Sequence, residues 1–155
     1  RKWNDRMKKK VLVIHGPNIN LVGEREPGIY GSSSFADLLH LLEQTAQELG
    51  IEVEQYQSNH EGDLVDKIQW AYGKADGIVI NPAAYTHTSV AILDALKAVS
   101  LPAVEVHISD VDARESFRQI SYAGMACCKT IKGHGLEGYR EAIVYLTQLL
   151  SRKDS

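Results

Sequence analysis

Apolar and polar positions alternate along the chain with two different periods. The run KVLVIHG at 10–16 is almost continuously apolar and ends in glycine, as expected for a strand that is buried on both faces. The segment 34–50 then repeats apolar residues every three or four positions, which predicts an amphipathic helix. Ser34 and Asp37 have the spacing of an N-terminal capping box, and Gly50 ends the pattern.

The same alternation continues towards the C-terminus. We predict strands at 51–57, 77–82 and 101–109, a weaker strand at 127–133, and helices at 61–74, 88–99 and 135–150. The helix at 61–74 is expected to begin with a capping box formed by Ser58-Asn59-His60-Glu61. Short connections between alternating strands and helices imply right-handed crossovers. The pattern therefore predicts an α/β protein with a parallel sheet and helices on both faces.

The 155 residues are enough to bury a substantial core, and no repeat or linker interrupts the pattern. Residues 9–152 are therefore predicted to form a single domain. Residues 1–8 are polar and basic, and we expect them to be an N-terminal tail. Because Met7 resembles an initiator, residues 1–6 are expected to have been added to the native chain.

Charge and composition exclude several classes of partner. The formal net charge of -3 gives no basic footprint for nucleic acid. No apolar run approaches the roughly 18 residues that a membrane span needs, and no secretory signal is visible. Cys127 and Cys128 are adjacent and cannot form a disulfide framework, which is typical of the reducing cytoplasm. We expect a cytoplasmic protein that binds neither nucleic acid nor membrane.

Polar side chains collect where three of the predicted strands end. Asn18 follows the first strand, Asn81 and His87 follow the third, and His107 and Ser109 end the fourth. Ligands bind outside the carboxyl ends of the strands in an open parallel sheet, so we predict a site there. Taken singly, some of these residues could have a purely structural role. Either asparagine could be a turn residue, and His87 with its neighbouring hydroxyls could cap the next helix or form an anion site at its N-terminus.

Glu105 and His107 are two residues apart on a predicted strand, so their side chains should point to the same face. A carboxylate in an apolar strand is costly unless it has a partner. The histidine is the natural partner, and the carboxylate would fix the tautomer of its ring. The alternative is that these are two unrelated side chains at a fraying strand end.

Several other kinds of site are disfavoured by the sequence. The His, Cys, Asp and Glu residues show no metal-ligand spacing, and the chain has neither a phosphate loop nor a dinucleotide-binding motif. The nucleophile elbow of acyl transferases is also missing from the sequence. One loop stands out, REPGIYG at 25–31, whose Pro-Gly turn predicts a mobile surface segment carrying Arg25 and Tyr30. These two residues could be solvent-exposed side chains with no function, or they could belong to a lid.

Five motifs taken together resemble the type II dehydroquinate dehydratases of the shikimate pathway. They run in matching order from about Lys9 to Leu150 and read VIHGPNINLVGEREPGIYG, QSNHEGDLVDKI, GIVINPAAYTHTSVAILDAL, VEVHISDVDARESFRQISY and GHGLEGY. The resemblance implies a flavodoxin-like fold, a three-layer sandwich with a five-stranded parallel sheet. It also implies a lyase that converts 3-dehydroquinate to 3-dehydroshikimate by anti elimination of water through an enolate, without cofactor, metal or Schiff base.

By this resemblance, Tyr30 is the base that removes the proton next to the ketone, and Arg25 keeps that tyrosine reactive. Asn18 holds a water that stabilises the enolate, and His107, with Glu105 behind it, protonates the departing hydroxyl. The residues implied to bind the substrate are Asn81, His87, Asp94, Ile108, Ser109 and Arg118. Of these, Asp94 matches a residue that the family uses across a subunit contact, in trimers that assemble into a dodecamer, a tetramer of trimers.

Some positions depart from the common family pattern. His15 stands where asparagine is frequent, Ala83 where glycine is common, and Lys129 and Thr130 where residues are small and apolar. None of these is expected to touch a catalytic role, although the last two put the packing of the fifth strand in question.

Two rival functions stay open on the sequence alone. One is a flavodoxin-like module that binds FMN or receives a phosphoryl group, and the other is an inactive relative that only binds the ligand. Use in biosynthesis or in quinate breakdown is also undecided by the sequence.

Overall fold

The structure of the protein is a computed structural model that describes residues 8–24, 33–110 and 114–154. Its strands are β1 Lys10–His15, β2 Glu52–Gln57, β3 Gly77–Asn81, β4 Ala103–His107 and β5 Lys129–Lys132. Its α-helices are α1 Phe35–Leu49, α2 Glu61–Ala71, α3 Val90–Val99 and α4 Glu137–Asp154. Within these ranges, no helix combines the length and apolar character needed to cross a bilayer.

The five strands form one sheet in the order β2-β1-β3-β4-β5, and every pairing is parallel. The α/β class and the flavodoxin-like order predicted above are thus confirmed. The order reverses between β1 and β3, where His15 lies opposite Asn81 in the register. This reversal is the point at which open α/β sheets bind ligands.

Two apolar cores cover the two faces of the sheet. Because successive side chains of a strand point to opposite faces, Val11 and Val13 face one core while Leu12 and Ile14 face the other. The first core is completed by α1 and α4, and the second by α2 and α3. The near-continuous apolar runs of β1, β3 and β4 follow from this burial on both sides.

The start of α1 is as predicted and the start of α2 is not. Ser34 and Asp37 form the reciprocal capping box. At α2, the residue preceding the first helical position is His60, which caps the helix without a side-chain hydrogen bond. Ser58 lies too early because its backbone N–H still donates to the His15 carbonyl of β1, and its hydroxyl donates to Asp63 instead. The predicted capping box is therefore wrong.

The weakly predicted strand β5 forms at the edge of the sheet, beside β4. Its edge position leaves Lys129 and Thr130 exposed, which accounts for polar residues in this strand. Short 3-10 helices that the apolar pattern did not predict occur at Ile19–Leu21, Ala83–His87, Ser116–Arg118 and Ala123–Ala126. The first two of these follow β1 and β3 and shape the loops at the ends of those strands.

Candidate active site

A cavity of about 180 Å³ lies at the carboxyl ends of β1, β3 and β4. It is lined by Pro17, Asn18, Ile19, Asn81, Ala83, Ala84, His87, His107, Ile108, Ser109, Arg114 and Arg118. The fold thus brings together seven of the residues singled out from the sequence: Asn18, Asn81, His87, His107, Ile108, Ser109 and Arg118. Among the described residues, a larger, more open depression of about 580 Å³ between β2 and α1 is lined by no histidine or arginine.

Glu105 lies beside this cavity as a completely buried carboxylate. Its Oε2 accepts hydrogen bonds from Thr86 Oγ1 at 2.6 Å, Ser121 Oγ at 2.6 Å and His107 Nε2 at 2.7 Å. Its Oε1 accepts one from Thr130 Oγ1 at 2.9 Å. Burial alone would raise the pKa of Glu105, but the bond and charge of His107, with the bonds from Ser121 and Thr86, lower that pKa to about 2. Glu105 is therefore ionised at neutral pH.

The ionised carboxylate determines how the His107 ring is protonated. Because a carboxylate can only accept, Nε2 of His107 must carry the hydrogen of their 2.7 Å bond. Nδ1 is then the nitrogen through which the ring can reach a ligand in the cavity that His107 lines. The partnership predicted for these two residues is present in the fold.

The backbone at Gly124 packs directly against the same carboxylate. A Cβ atom at this position would lie 2.7 Å from Glu105 Oε1 and 2.8 Å from Ser121 Oγ. The Gly124 N–H also donates to Ser121 Oγ at 2.9 Å, which orients that hydroxyl. No other residue type fits here without displacing the carboxylate or Ser121.

Two hydrogen bonds fix the orientation of the Asn81 side-chain amide. Its Nδ2 donates to the hydroxyl of Tyr139 at 2.9 Å, and its Oδ1 accepts from the backbone N–H of Ala83 at 3.0 Å. Tyr139 is completely buried, and burial raises the pKa of its hydroxyl well above the ordinary value. One lone pair of the Asn81 oxygen is thus used, and the second N–H of Nδ2 is the donor left for a ligand. Ala83 has a positive φ of 54°, which explains why glycine suits this position.

His15 is buried behind the cavity, at the end of β1. Its Nδ1 lies 3.5 Å from the Tyr139 hydroxyl, and its ring meets Phe35 edge-on. Burial lowers the pKa of His15 to about 3, so the ring is neutral. Within the described ranges, its Nε2 has no hydrogen-bond partner.

His87 faces the cavity with its tautomer fixed by a carbonyl. Nδ1 lies 2.8 Å from the Ile120 carbonyl oxygen and must be the donor, so in the neutral ring Nε2 can accept from a ligand. Two of the nearby hydroxyls have structural partners. Thr86 donates to Glu105, and the buried Ser89 accepts from Ile92 N–H as the N-cap of α3.

Two guanidinium groups line the cavity and favour an anionic ligand. Arg118 was predicted, and its Nε donates to both carboxylate oxygens of Glu115 at 3.1 and 3.2 Å. Arg114 was missed, although its place four residues before Arg118 in the same motif could have indicated it. In the described part of the chain, no group of three or more His, Cys, Asp or Glu side chains is placed to hold a metal ion.

The cavity leaves three predicted site residues to be accounted for, and two of them cannot be placed. Arg25 and Tyr30 lie outside the described residues. Asp94 is exposed on α3 and does not line the cavity of its own chain.

Comparison with known proteins gives consistent matches over nearly the whole chain. The family described as "Dehydroquinase class II" matches residues 9–147. The chain is 55% identical over 143 residues to the 3-dehydroquinate dehydratase of Caldicellulosiruptor bescii, covering 92% of this chain and 99% of that protein. It is 52% identical over 140 residues to catabolic 3-dehydroquinase 1 of Aspergillus terreus, covering 90% and 92%.

A solved structure agrees with these sequence matches. The type II dehydroquinase of Butyrivibrio crossotus superposes with a TM-score of 0.89 at 51% identity, covering 91% of this chain and 99% of that one. The resemblance inferred from the five motifs is thereby confirmed. The chain belongs to the type II 3-dehydroquinate dehydratases, and it is an enzyme of that family.

Proposed function

We propose that this enzyme removes water from 3-dehydroquinate by anti elimination through an enolate, giving 3-dehydroshikimate without a metal ion or a Schiff base. The observation that carries the proposal is His107, which is held by the buried Glu105 and opens onto a cavity containing Asn81, His87 and two arginines. The names of the relatives from C. bescii and A. terreus support the substrate.

Tyr30 acts as the base and Arg25 activates it, by the match of REPGIYG to the family motif. A tyrosine has an ordinary pKa of about 10 and needs a shift of a few units, each about 1.4 kcal/mol, to act at neutral pH. One positive charge at ~4 Å supplies about 4 kcal/mol at an effective dielectric constant near 20. A single guanidinium is sufficient in magnitude once water is excluded. Removal of the proton next to the ketone leaves the enolate, which the water held by Asn18 stabilises.

His107 supplies the proton for the departing hydroxyl. In the doubly protonated ring Nε2–H donates to Glu105, which leaves Nδ1–H as the group available to the substrate. As the carbon–oxygen bond breaks, Nδ1 gives its proton and the hydroxyl leaves as water. The neutral tautomer that results keeps its hydrogen on Nε2, which is the tautomer that Glu105 favours, so the ring does not need to turn.

The remaining cavity groups bind the carboxylate and hydroxyls of the substrate. The free N–H of Asn81 donates to a substrate oxygen, and Nε2 of His87 accepts from a hydroxyl. Arg118, with the backbone amides of Ile108 and Ser109, is suited to the anionic part of the substrate. This arrangement favours a small polyhydroxylated carboxylate.

The enzyme assembles from several copies, and Asp94 of one copy contributes to the site of its neighbour. Four exposed apolar side chains support a subunit contact near α3: Val90, Phe117, Ile120 and Met125. By family resemblance the assembly is a dodecamer built from four trimers. The two free cysteines agree with work in the reducing cytoplasm, which we propose as its location.

Ultraviolet absorbance tests the reaction directly, because 3-dehydroshikimate is a conjugated enone and 3-dehydroquinate is not. The purified enzyme should produce a rising absorbance on addition of 3-dehydroquinate. His107→Ala should slow it by about 10²–10⁴-fold, the usual range for general acid catalysis. An unchanged absorbance with the wild-type enzyme would overturn the proposed reaction, and a fast His107→Ala enzyme would overturn the role of His107.

Borohydride distinguishes the enolate mechanism from imine chemistry. Among the described residues, no lysine lines the cavity. Incubation with borohydride and substrate should therefore leave the enzyme active, since no amine is placed to form an imine. A covalent adduct between substrate and a lysine, detected by mass spectrometry, would contradict the mechanism.

A further inference from the structure

We propose that Thr130 is a positioning residue that keeps the carboxylate of Glu105 in the rotation that His107 needs. The sequence gives Thr130 no expected part in the site. Because the family usually has a small apolar residue at this position, the sequence indicates only a change in how the fifth strand packs. The structure instead places its hydroxyl 2.9 Å from Oε1 of Glu105. The inference rests on the proposed role of His107 as the proton donor.

The hydrogen bonds to Glu105 are divided unequally between its two oxygens. Thr86, Ser121 and His107 all donate to Oε2 at 2.6–2.7 Å. In the described part of the chain, Thr130 is the side chain that donates to Oε1. Without Thr130, a fully buried and charged oxygen would lose this donor, which is unfavourable in a medium that screens charge poorly.

The register of the sheet places Thr130 next to Oε1 of Glu105. In the parallel pairing of β4 with β5, Thr130 lies directly opposite Glu105, so the two side chains project to the same face. The backbone of Thr130 is fixed by the strand, while its side chain stands at the exposed edge of the sheet. A substitution here changes the hydrogen bond without removing an apolar core residue.

The bond to Oε1 restrains rotation of the carboxylate about its bond to Cγ. If the carboxylate turns, Oε2 moves away from Nε2 of His107, and the ring loses the partner that directs Nδ1 to the cavity. Only the fraction of enzyme in the correct rotation then transfers the proton efficiently. Loss of such outer hydrogen bonds lowers turnover because the reacting group is held less well, whereas substrate binding is little affected.

Three variants test this inference. Thr130→Val keeps the branched shape that suits a strand but removes the donor, and Thr130→Ser keeps the donor. Thr147→Val is the matched control, because the Thr147 hydroxyl donates to a helix carbonyl of Ile143, away from the cavity. We expect Thr130→Val to lower kcat by about fivefold to tenfold, or about 1–1.4 kcal/mol in barrier, with KM within about twofold. Thr130→Ser should restore kcat to within about twofold of wild type, and Thr147→Val should leave both constants unchanged.

Two results would overturn the inference. One is a Thr130→Val enzyme with wild-type kcat, and the other is a loss that Thr130→Ser shares or that falls on KM alone. His107→Ala, assayed in parallel, separates this failure from a failure of the proposed mechanism. If His107→Ala is severely impaired while Thr130→Val is not, only the role of Thr130 is wrong. If His107→Ala turns over at the wild-type rate, the proposed role of His107 falls, and the inference falls with it.

Discussion

At the scale of single residues, three of the side chains that line the cavity are each fixed by a partner that does not line it. Glu105 orients His107, Tyr139 orients Asn81, and the carbonyl of Ile120 orients His87. Each of these bonds leaves a specific group for the ligand: Nδ1 of His107, the second N–H of Asn81 and Nε2 of His87. Substitution of these partners is therefore expected to change catalysis or substrate binding, although the partners themselves do not line the cavity.

Glu105→Gln should lower kcat by about 10–100-fold, the range found for carboxylates and other partners that orient metal-bound histidines. The neutral amide cannot stabilise the doubly protonated ring of His107. Its NH₂ group also faces the hydroxyls of Thr86 and Thr130, which donate hydrogen bonds to Glu105 in the wild-type enzyme. Steady-state kinetics measures the effect, with circular dichroism to check the fold. Glu48→Gln is the matched control, because Glu48 is exposed and pairs with Arg140 away from the cavity. A Glu105→Gln enzyme with more than about a third of wild-type kcat would contradict the role of the carboxylate.

Tyr139→Phe should act on binding rather than on chemistry. Removal of the hydroxyl leaves Asn81 Nδ2 without this acceptor, so the amide is held only by the bond from Ala83 N–H and is oriented less firmly towards the ligand. One neutral hydrogen bond is worth about 1 kcal/mol, so we expect KM to rise about fivefold with kcat nearly unchanged. Tyr145→Phe on the same helix is the control. A fall in kcat at constant KM would show that Asn81 acts in the transition state instead.

At the scale of elements, strand and helix positions could be predicted because burial on both faces leaves a strong apolar pattern. The predicted ends differ from the observed ones by a few residues, as for the fourth strand at 101–109 against Ala103–His107. The short 3-10 helices could not be predicted, since three to five residues carry no repeating pattern. The same limit applies to the site. Strand-end residues could be predicted from the direction of a parallel sheet, whereas Ser121 and Thr130 reach Glu105 only through loop geometry and an edge pairing.

Two helices end at residues with left-handed backbone, and substitutions at these residues test how much a side chain costs in that conformation. Ser100 ends α3 with φ 55°, and Gly50 ends α1 with φ 67°. Ser100→Gly should relieve the cost of a side chain there and stabilise the protein by about 0.5–1 kcal/mol. Gly50→Ser should destabilise it by a similar amount, and a Cβ at position 50 meets nothing within 4 Å, so the effect is confined to the backbone. Thermal unfolding at one protein concentration measures both shifts, and shifts of the same sign would refute the explanation.

At the scale of the whole molecule, two buried groups link stability to pH. The pKa of Glu105 is lowered to about 2, so its contribution is present above its ordinary value of 4.5 and is lost as the pH falls towards 2. The pKa of His15 is lowered by burial from 6.5 to about 3. Below pH 6.5 the unfolded chain gains a proton at His15 that the folded chain does not, so stability falls over this window. Both groups therefore weaken the fold as the solution becomes acidic.

Of these two groups, His15 is the one that changes the free energy of unfolding above pH 5. Linkage gives a loss of about 2 kcal/mol in the free energy of unfolding from this residue between pH 7 and pH 5. His15→Asn should flatten that dependence even if it lowers stability at pH 7. His40→Asn, at an exposed position of α1, should keep the wild-type slope. Denaturant titrations at several pH values measure both slopes, and an unchanged slope in His15→Asn would refute the assignment.

The assembled enzyme should be much larger than one chain. Twelve copies of the 17.2 kDa chain give a mass of about 206 kDa for the proposed dodecamer. Light scattering at micromolar concentration measures this mass directly. A monomer mass would contradict the proposed assembly and leave Asp94 as an exposed helix residue with no part in the site.

The close approach of Gly124 to Glu105 also has an evolutionary consequence. Gly124 and Thr130 meet the same oxygen, Oε1, from two different segments. A serine at position 124 could supply the hydrogen bond in place of Thr130, but its Cβ would lie too close unless the carboxylate shifts. The two positions are therefore epistatic, because the effect of a change at one depends on the residue at the other.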